Sequence, residues 1–249
     1  IGIPYSYRST ESYIDTNIKG TFNLLSSSKY QNIKKIIHIS TSEVYGSAQK
    51  IPITELHPVV GQSPYSASKI SAEQLCIAYN KSFGLPVTIL RPFNVFGPRQ
   101  SSRAIIPTII GQYMQNQEFL NLGLMTPTRD FNYVEDTVDA FCKCINAKNI
   151  SGEIINIGTG KEFSIKIVAD LIASYFGKKL KVKLEEKRIR PNKSEVLRLC
   201  SSTKKSKNIL KWTSSIKNKK QFKDKLFKTI EWYIENKNLT KINNKKYHI

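Results

Sequence analysis

Short apolar segments alternate with amphipathic ones along most of this chain, and that alternation restricts the fold to helices layered on a sheet. Ile36 to Ile39 reads as a buried strand after the helix expected over Thr16 to Lys29. Ser63-Pro64 then opens a helix, with Ser as N-cap and Pro at the first helical position. That helix stops at Gly84, and Leu85 to Leu90 is again strand. Beyond Gly97-Pro98 helices are expected at Ile105 to Met114, Val134 to Ala147, Ser164 to Phe176 and Gln221 to Glu235. Short strands are expected at Phe119 to Leu122, Gly152 to Ile157 and Val182 to Leu184. The polar tail, Asn236 to Ile249, is expected to fray.

With 249 residues, 40% of them hydrophobic, the chain can bury a sizeable core in one or two domains. Its net charge of +20 comes largely from lysines in the last third, and no aromatic-basic module accompanies them. This pattern reads as a solvated surface, with no nucleic-acid partner, and its field suits a phosphate-rich small molecule. Cys76, Cys142, Cys144 and Cys200 lack paired spacing and read as reduced thiols; with three scattered histidines, no metal site is expected. No apolar run approaches a membrane span and no signal peptide is visible, so the expectation is a cytoplasmic protein without a membrane partner.

The chemistry-bearing residues follow the first strand. Thr41-Ser42-Glu43-Val44-Tyr45-Gly46 places two hydroxyls and a carboxylate at its end. Tyr65 and Lys69 then stand at i, i+4 on one helix face, where an ammonium lowers the cost of a phenolate. A separate Glu beside them allows a second proton transfer. The set suits oxidation of an alcohol followed by cleavage of an adjacent C–H bond. A dinucleotide loop of the G-x-x-G-x-x-G kind is absent, and Gly158-Thr159-Gly160 lacks the third glycine. The chain starts at Ile1 without Met, which reads as the interior of a longer protein.

Six ordered motifs carry a resemblance: Asn17 to Thr21, Ser40 to Gly46, Tyr65 to Lys69, Arg91 to Asn94 with Gly97-Pro98-Arg99, Thr128 to Phe131 with Val134 to Asp136, and Arg190-Pro191 with Ser194 to Val196. Together they resemble the extended short-chain dehydrogenase/reductases that act on nucleotide sugars. Within these they look most like NAD-dependent 4,6-dehydratases of the legionaminic-acid type, which act on nucleotide-linked N-acetylglucosamine. The resemblance implies an α/β fold: a Rossmann-like doubly wound parallel sheet, with its N-terminal part missing, and a smaller α/β C-terminal substrate domain. It divides the chain into 1–98 (cofactor side, with the catalytic residues), 99–235 (mainly nucleotide-sugar binding) and the tail 236–249.

By the same resemblance, Tyr65 takes the proton from the sugar C4 hydroxyl while hydride passes to NAD, Thr41 bonds the C4 oxygen, and Glu43 removes the C5 proton. Ser42 stands where many dehydratases of deoxythymidine sugars carry Asp, which moves protonation of the leaving hydroxyl onto Glu43. Lys69, Pro92 and Phe93 shape the cofactor side. Asn94, Arg129, Arg190 and, more weakly, Arg99 and Arg103 contact the nucleotide diphosphate, and Ile105, Ile106 and Pro107 wall the base. Asn17 orients backbone near the site, and Tyr45 packs. A homodimer through the helices Thr16 to Lys29 and Tyr65 to Phe83 is the family habit. Nucleotide-glucuronate decarboxylation and 4-epimerisation remain alternatives; the short path Ser47 to Ser63 favours dehydration over decarboxylation, and epimerisation has no use for Glu43. A non-catalytic truncated remnant is the alternative of another class.

Overall fold

The computed structural model of the protein describes residues 3–237. In chain order the helices and strands begin with α1 (Ile3–Ser6), α2 (Thr10–Tyr13), α3 (Gly20–Ser28), β1 (Ile36–Ile39), α4 (Pro64–Phe83), β2 (Val87–Pro92) and β3 (Asn94–Phe96). They continue with α5 (Ile105–Met114), β4 (Leu120–Leu122), β5 (Thr128–Arg129), β6 (Phe131–Tyr133), α6 (Val134–Asn146), β7 (Ile154–Ile157) and β8 (Phe163–Ser164). Last come α7 (Ile165–Tyr175), β9 (Val182–Leu184), α8 (Lys204–Leu210) and α9 (Lys219–Glu235). None of the described helices is long and apolar enough to cross a membrane.

β1, β2 and β7 form a parallel sheet with β2 in the centre, and Val87 to Arg91 of that strand are all buried. A central parallel strand is covered on both faces, which is why β2 is apolar up to Leu90 but for Thr88, whose buried hydroxyl donates to the Ile150 carbonyl at 2.7 Å. One cover comes from α3 and α4, whose Leu25 and Cys76 pack on Leu85, Val87 and Ile89. The other comes from α6 and α8, with Leu90, Ala140, Ile155 and Trp212 in one cluster. Lys35, just before β1, donates to the carbonyls of Cys144, Ile145 and Ala147, so a cation closes the end of α6. A separate core gathers α5, α7 and α9 around Phe222, which stacks on Phe163 at 4.4 Å between ring centres.

The start and stop of α4 follow the sequence closely. Ser63 Oγ accepts from the Ser66 backbone N–H at 3.1 Å, the Ser66 hydroxyl accepts from the Ser63 N–H at 3.0 Å, and Gly84 closes the helix at φ 66°. The first helical region differs from expectation. It starts at Thr10 rather than Thr16, and runs through a π-helical stretch, Ile14–Lys19, before α3. Asn17 lies on that stretch and donates to Ser68 Oγ at 2.9 Å, which anchors it to the turn of α4 that carries Lys69.

Gly158-Thr159-Gly160 has a structural task. The Asp130 carboxylate, fully buried, accepts from the backbone N–H of Thr159 (2.8 Å), Gly160 (2.9 Å) and Ser201 (3.0 Å) and from the Thr159 hydroxyl (2.7 Å). Burial pushes this carboxyl up to about 6 even though all four donors pull it back. A Cβ at Gly158 would stand 2.6 Å from Ser201 Cβ and 2.9 Å from Asp130 Oδ2. Gly158→Ala is therefore expected to lower stability by about 1–3 kcal/mol, read as a lower urea midpoint with the slope unchanged.

Candidate active site

The site forms at the carboxyl ends of the parallel strands, where an open α/β sheet leaves a crevice. β1 ends at Ile39, the Ser40 N–H pairs with Leu90 O at 2.8 Å, and Thr41 is extended. Ser42–Tyr45 then turns as a short 3-10 helix, and the Thr41 hydroxyl accepts from the Glu43 N–H at 3.2 Å. That turn points away from simple strand continuation, and it buries Ser42 and Glu43. Across from it, α4 presents Tyr65 and Lys69 one turn apart.

Thr41, Glu43 and Tyr65 come together. Thr41 and Glu43 are both close enough to the Tyr65 hydroxyl to act on it. Burial pushes that hydroxyl above its usual range, the Thr41 side chain offsets this, and Glu43 adds to the rise. Lys69 donates from Nζ to the Ile39 carbonyl at 2.6 Å. Burial lowers the Lys69 ammonium's pKa, while Glu73 and Cys76 oppose that. The Tyr13 ring packs edge-on against Tyr65 at 5.9 Å. Phe93 is buried beside Tyr45, and Pro92 ends β2 next to it.

A cavity of about 320 Å³ opens beside these groups. Asn94, Arg129 and Arg190 all line it, as do Ile105 and Ile106, whereas Pro107 and Arg99 do not. Arg99 is exposed, at φ 65°. Arg190 joins the cavity to the Ser42–Tyr45 turn, its Nη1 lying 3.4 Å from Glu43 Oε2. Arg129 is buried and pairs with Glu195 at 3.3 Å. Burial lowers the Arg129 pKa, and the Glu43 and Glu195 charges hold it up. Asn94 Oδ1 is buried without a hydrogen-bond partner among the described residues.

Three participants escaped the sequence. Glu195 lies inside the Ser194 to Val196 motif, where nothing in the sequence marks it as the partner of Arg129. Arg188 lines the cavity two positions before Arg190 and carried no separate signal. Tyr13 belongs to a segment whose helical start was placed too late.

A family model described as GDP-mannose 4,6 dehydratase matches residues 1–224. The chain is 34% identical over 230 residues to a putative UDP-glucose 4-epimerase of Methanocaldococcus jannaschii, covering 91% of this chain and 71% of that one. Among other curated relatives, the chain spans as little as 34% of the relative's length. The fold is similar to that of the dTDP-glucose 4,6-dehydratase DesIV of Streptomyces venezuelae, solved as a double mutant with NAD and DAU bound. That pair has a TM-score of 0.88 at 26% identity, over 98% of this chain and 73% of the other. The UDP-glucuronic acid 4-epimerase of Bacillus cereus, in complex with UDP-glucuronic acid and NAD, gives a TM-score of 0.86 at 29% identity, over 94% and 73%. These likenesses agree with the Rossmann-like α/β architecture, and on the match to residues 1–224 the chain belongs to the GDP-mannose 4,6-dehydratase family of short-chain dehydrogenase/reductases.

Proposed function

We propose that the whole protein is an NAD-dependent nucleotide-sugar 4,6-dehydratase acting on a UDP- or GDP-linked N-acetylhexosamine. The observation that carries the reaction type is the placement of Glu43 beside the Thr41–Tyr65 pair, since C4 oxidation alone has no use for a second base there. The N-acetylhexosamine rests on the motif resemblance. The division into a cofactor side (1–98) and a mainly nucleotide-sugar side (99–235) belongs to the same proposal.

The residues present fit NAD. Ser40 Oγ is buried without a partner at the end of β1, and Lys69 Nζ has donors to spare beyond the Ile39 carbonyl for ribose hydroxyls. Tyr65, Lys69, Pro92 and Phe93 would hold the nicotinamide end. When bound, NAD supplies the acceptor for the C4 hydride and the donor that returns it to C6. A positive charge beside Tyr65 would also offset the burial that raises its hydroxyl.

The chain's own groups carry the proton transfers. Tyr65 accepts the proton of the C4 hydroxyl, and Thr41 holds the same oxygen by donating to it. The C4 ketone acidifies C5–H, and Glu43 takes that proton. The same carboxyl then returns it to the departing C6 hydroxyl, with Ser42 beside it in the buried turn, because a serine hydroxyl is too weak an acid to serve alone. Water leaves, C5 takes a proton from solvent by way of the freed Glu43 carboxylate, Tyr65 releases its own proton to solvent, and the reaction is redox-neutral.

Arg129, Arg190 and Asn94 would grip the diphosphate, since a guanidinium fork matches phosphate oxygens. Arg129→Lys is expected to weaken UDP or GDP binding about tenfold or more by calorimetry, as a charged hydrogen bond is lost. An unchanged Kd would remove Arg129 from the phosphate site. A homodimer fits the exposed Phe22 and Leu24 of α3 and Phe83 of α4.

Incubation with NAD and UDP- or GDP-N-acetylglucosamine should yield a 4-keto-6-deoxy sugar, one water lighter by mass spectrometry, without net NADH. The likeness to two 4-epimerases supports a second reading, in which the product keeps its mass and inverts at C4.

A further inference from the structure

A buried charged network lies directly beneath the catalytic groups, and the mechanism above makes no use of it. Glu73 sits on α4 one turn beyond Lys69 and two beyond Tyr65, with no measurable exposure. Its carboxylate takes a two-pronged hydrogen bond from Arg91 of β2, Nε to Oε1 at 2.9 Å and Nη2 to Oε2 at 2.6 Å. The remaining arm, Nη1, donates to the Tyr45 hydroxyl at 2.9 Å, and that hydroxyl donates to Asn156 Oδ1 of β7 at 2.7 Å. Arg91 and Asn156 are direct partners in the β2–β7 register. Asn156 Nδ2 continues to the Ile53 carbonyl at 3.0 Å, and its N–H reaches Glu55 Oε1 at 2.9 Å.

Tyr45 is the last residue of the turn that begins at Ser42, so the chain of bonds runs from the Glu43 turn through β2 to the Tyr65–Lys69 helix. Each link is directional, and the side chains of Tyr45, Arg91, Glu73 and Asn156 are all buried. Burial pushes the Tyr45 hydroxyl up to about 12, so it remains the donor to Asn156. A desolvated ion pair of this kind is weak evidence for stability, because the desolvation penalty offsets the attraction. Its geometry accounts for something else: the distance between two catalytic elements that share no covalent neighbour.

We infer that Glu73, Arg91 and Tyr45, with Asn156, are positioning residues that fix the Thr41–Glu43 turn against the Tyr65–Lys69 face of α4. Glu73 has a second effect through its charge. The groups acting on Lys69 or on its surroundings are Glu73 and Cys76 of α4 and His38 of β1, the last half-buried, driven down to about 4 and so neutral. Among them Glu73 is the anion that favours the ammonium. The inference rests on Tyr65 and Lys69 serving C4 oxidation, a step common to dehydration and epimerisation, so it does not depend on which of the two products forms.

Two variants test it. Tyr45→Phe removes one hydroxyl and no charge. Single-turnover C4 oxidation, read as reduced-nicotinamide absorbance, is expected to slow about tenfold, with KM for the nucleotide sugar within about twofold. In Glu73→Gln, Lys69 of the cofactor-free protein, followed by lysine 13C NMR, is expected to titrate at lower pH than in wild type, and the alkaline limb of C4 oxidation moves the same way. Should Glu73→Gln fail to fold, Tyr45→Phe decides alone. A Tyr45→Phe variant with wild-type kcat, or one losing kcat and KM in proportion, overturns the positioning role. A folded Glu73→Gln variant whose Lys69 titrates as in wild type overturns the charge role. A wild type that dehydrates nothing but oxidises C4 defeats the dehydratase reading and leaves both comparisons intact.

Discussion

Glu43→Gln is expected to retain C4 oxidation while losing elimination by a factor of about 10²–10⁴, the range that a positioned general base contributes. Glutamine preserves the size of the side chain and its contact with Arg190, 3.4 Å away in the native turn, but cannot take a proton from carbon. Single-turnover mixing should therefore build up reduced-nicotinamide absorbance that fails to decay, with no loss of water from the sugar. The substitution also removes an anion that raises the Tyr65 hydroxyl. Deprotonation of Tyr65 then becomes easier, so the rising limb of C4 oxidation with pH should move to lower pH. Equal elimination rates in the two proteins would strip Glu43 of its role.

Tyr65→Phe is the second large effect. In the proposed reaction this hydroxyl takes the C4 proton, and neither Thr41 nor Lys69, which donates to the Ile39 carbonyl, would replace it as a base. Turnover of any kind should fall by about 10³–10⁴. Binding of UDP or GDP, measured by calorimetry, should stay within about twofold, because the cavity lined by Asn94, Arg129 and Arg190 does not include Tyr65. Loss of nucleotide binding together with turnover would mean that Tyr65 is structural.

Much of this arrangement was legible in the chain. The helix α4 announces itself through Ser63-Pro64 and Gly84, both of which act as the local rules require, and the Tyr65–Lys69 spacing follows from the helix alone. The buried strand β2 is legible because a parallel central strand has no polar face to show. Arg129 and Arg190 were legible as cations in recognisable motifs, and the structure places both on one cavity with Asn94.

What stayed hidden depends on contacts far apart in sequence. The Arg129–Glu195 pair spans two segments whose meeting no periodicity encodes. The Arg91–Glu73–Tyr45–Asn156 chain joins two strands, a helix and a turn, and each member taken singly reads as an ordinary core or surface residue. The π-helical stretch at Ile14–Lys19 contains the expected helix start at Thr16, and its wider turns leave no 3.6-residue pattern to mark the true start at Thr10. Gly158-Thr159-Gly160 resembled half of a phosphate loop, and its backbone donors are instead turned onto Asp130. Arg99 shares a motif with Asn94, yet its left-handed φ leaves it exposed and away from the cavity.

Whether Glu43 breaks a C–H bond at C5 is decided by turnover of the nucleotide-linked N-acetylglucosamine by the whole protein in deuterium oxide, followed by NMR of the product. The expected product is a 4-keto-6-deoxy sugar carrying deuterium at C5, with the hydrogen from C4 delivered to C6. A product that is inverted at C4, keeps its C6 oxygen and retains protium at C5 would contradict it.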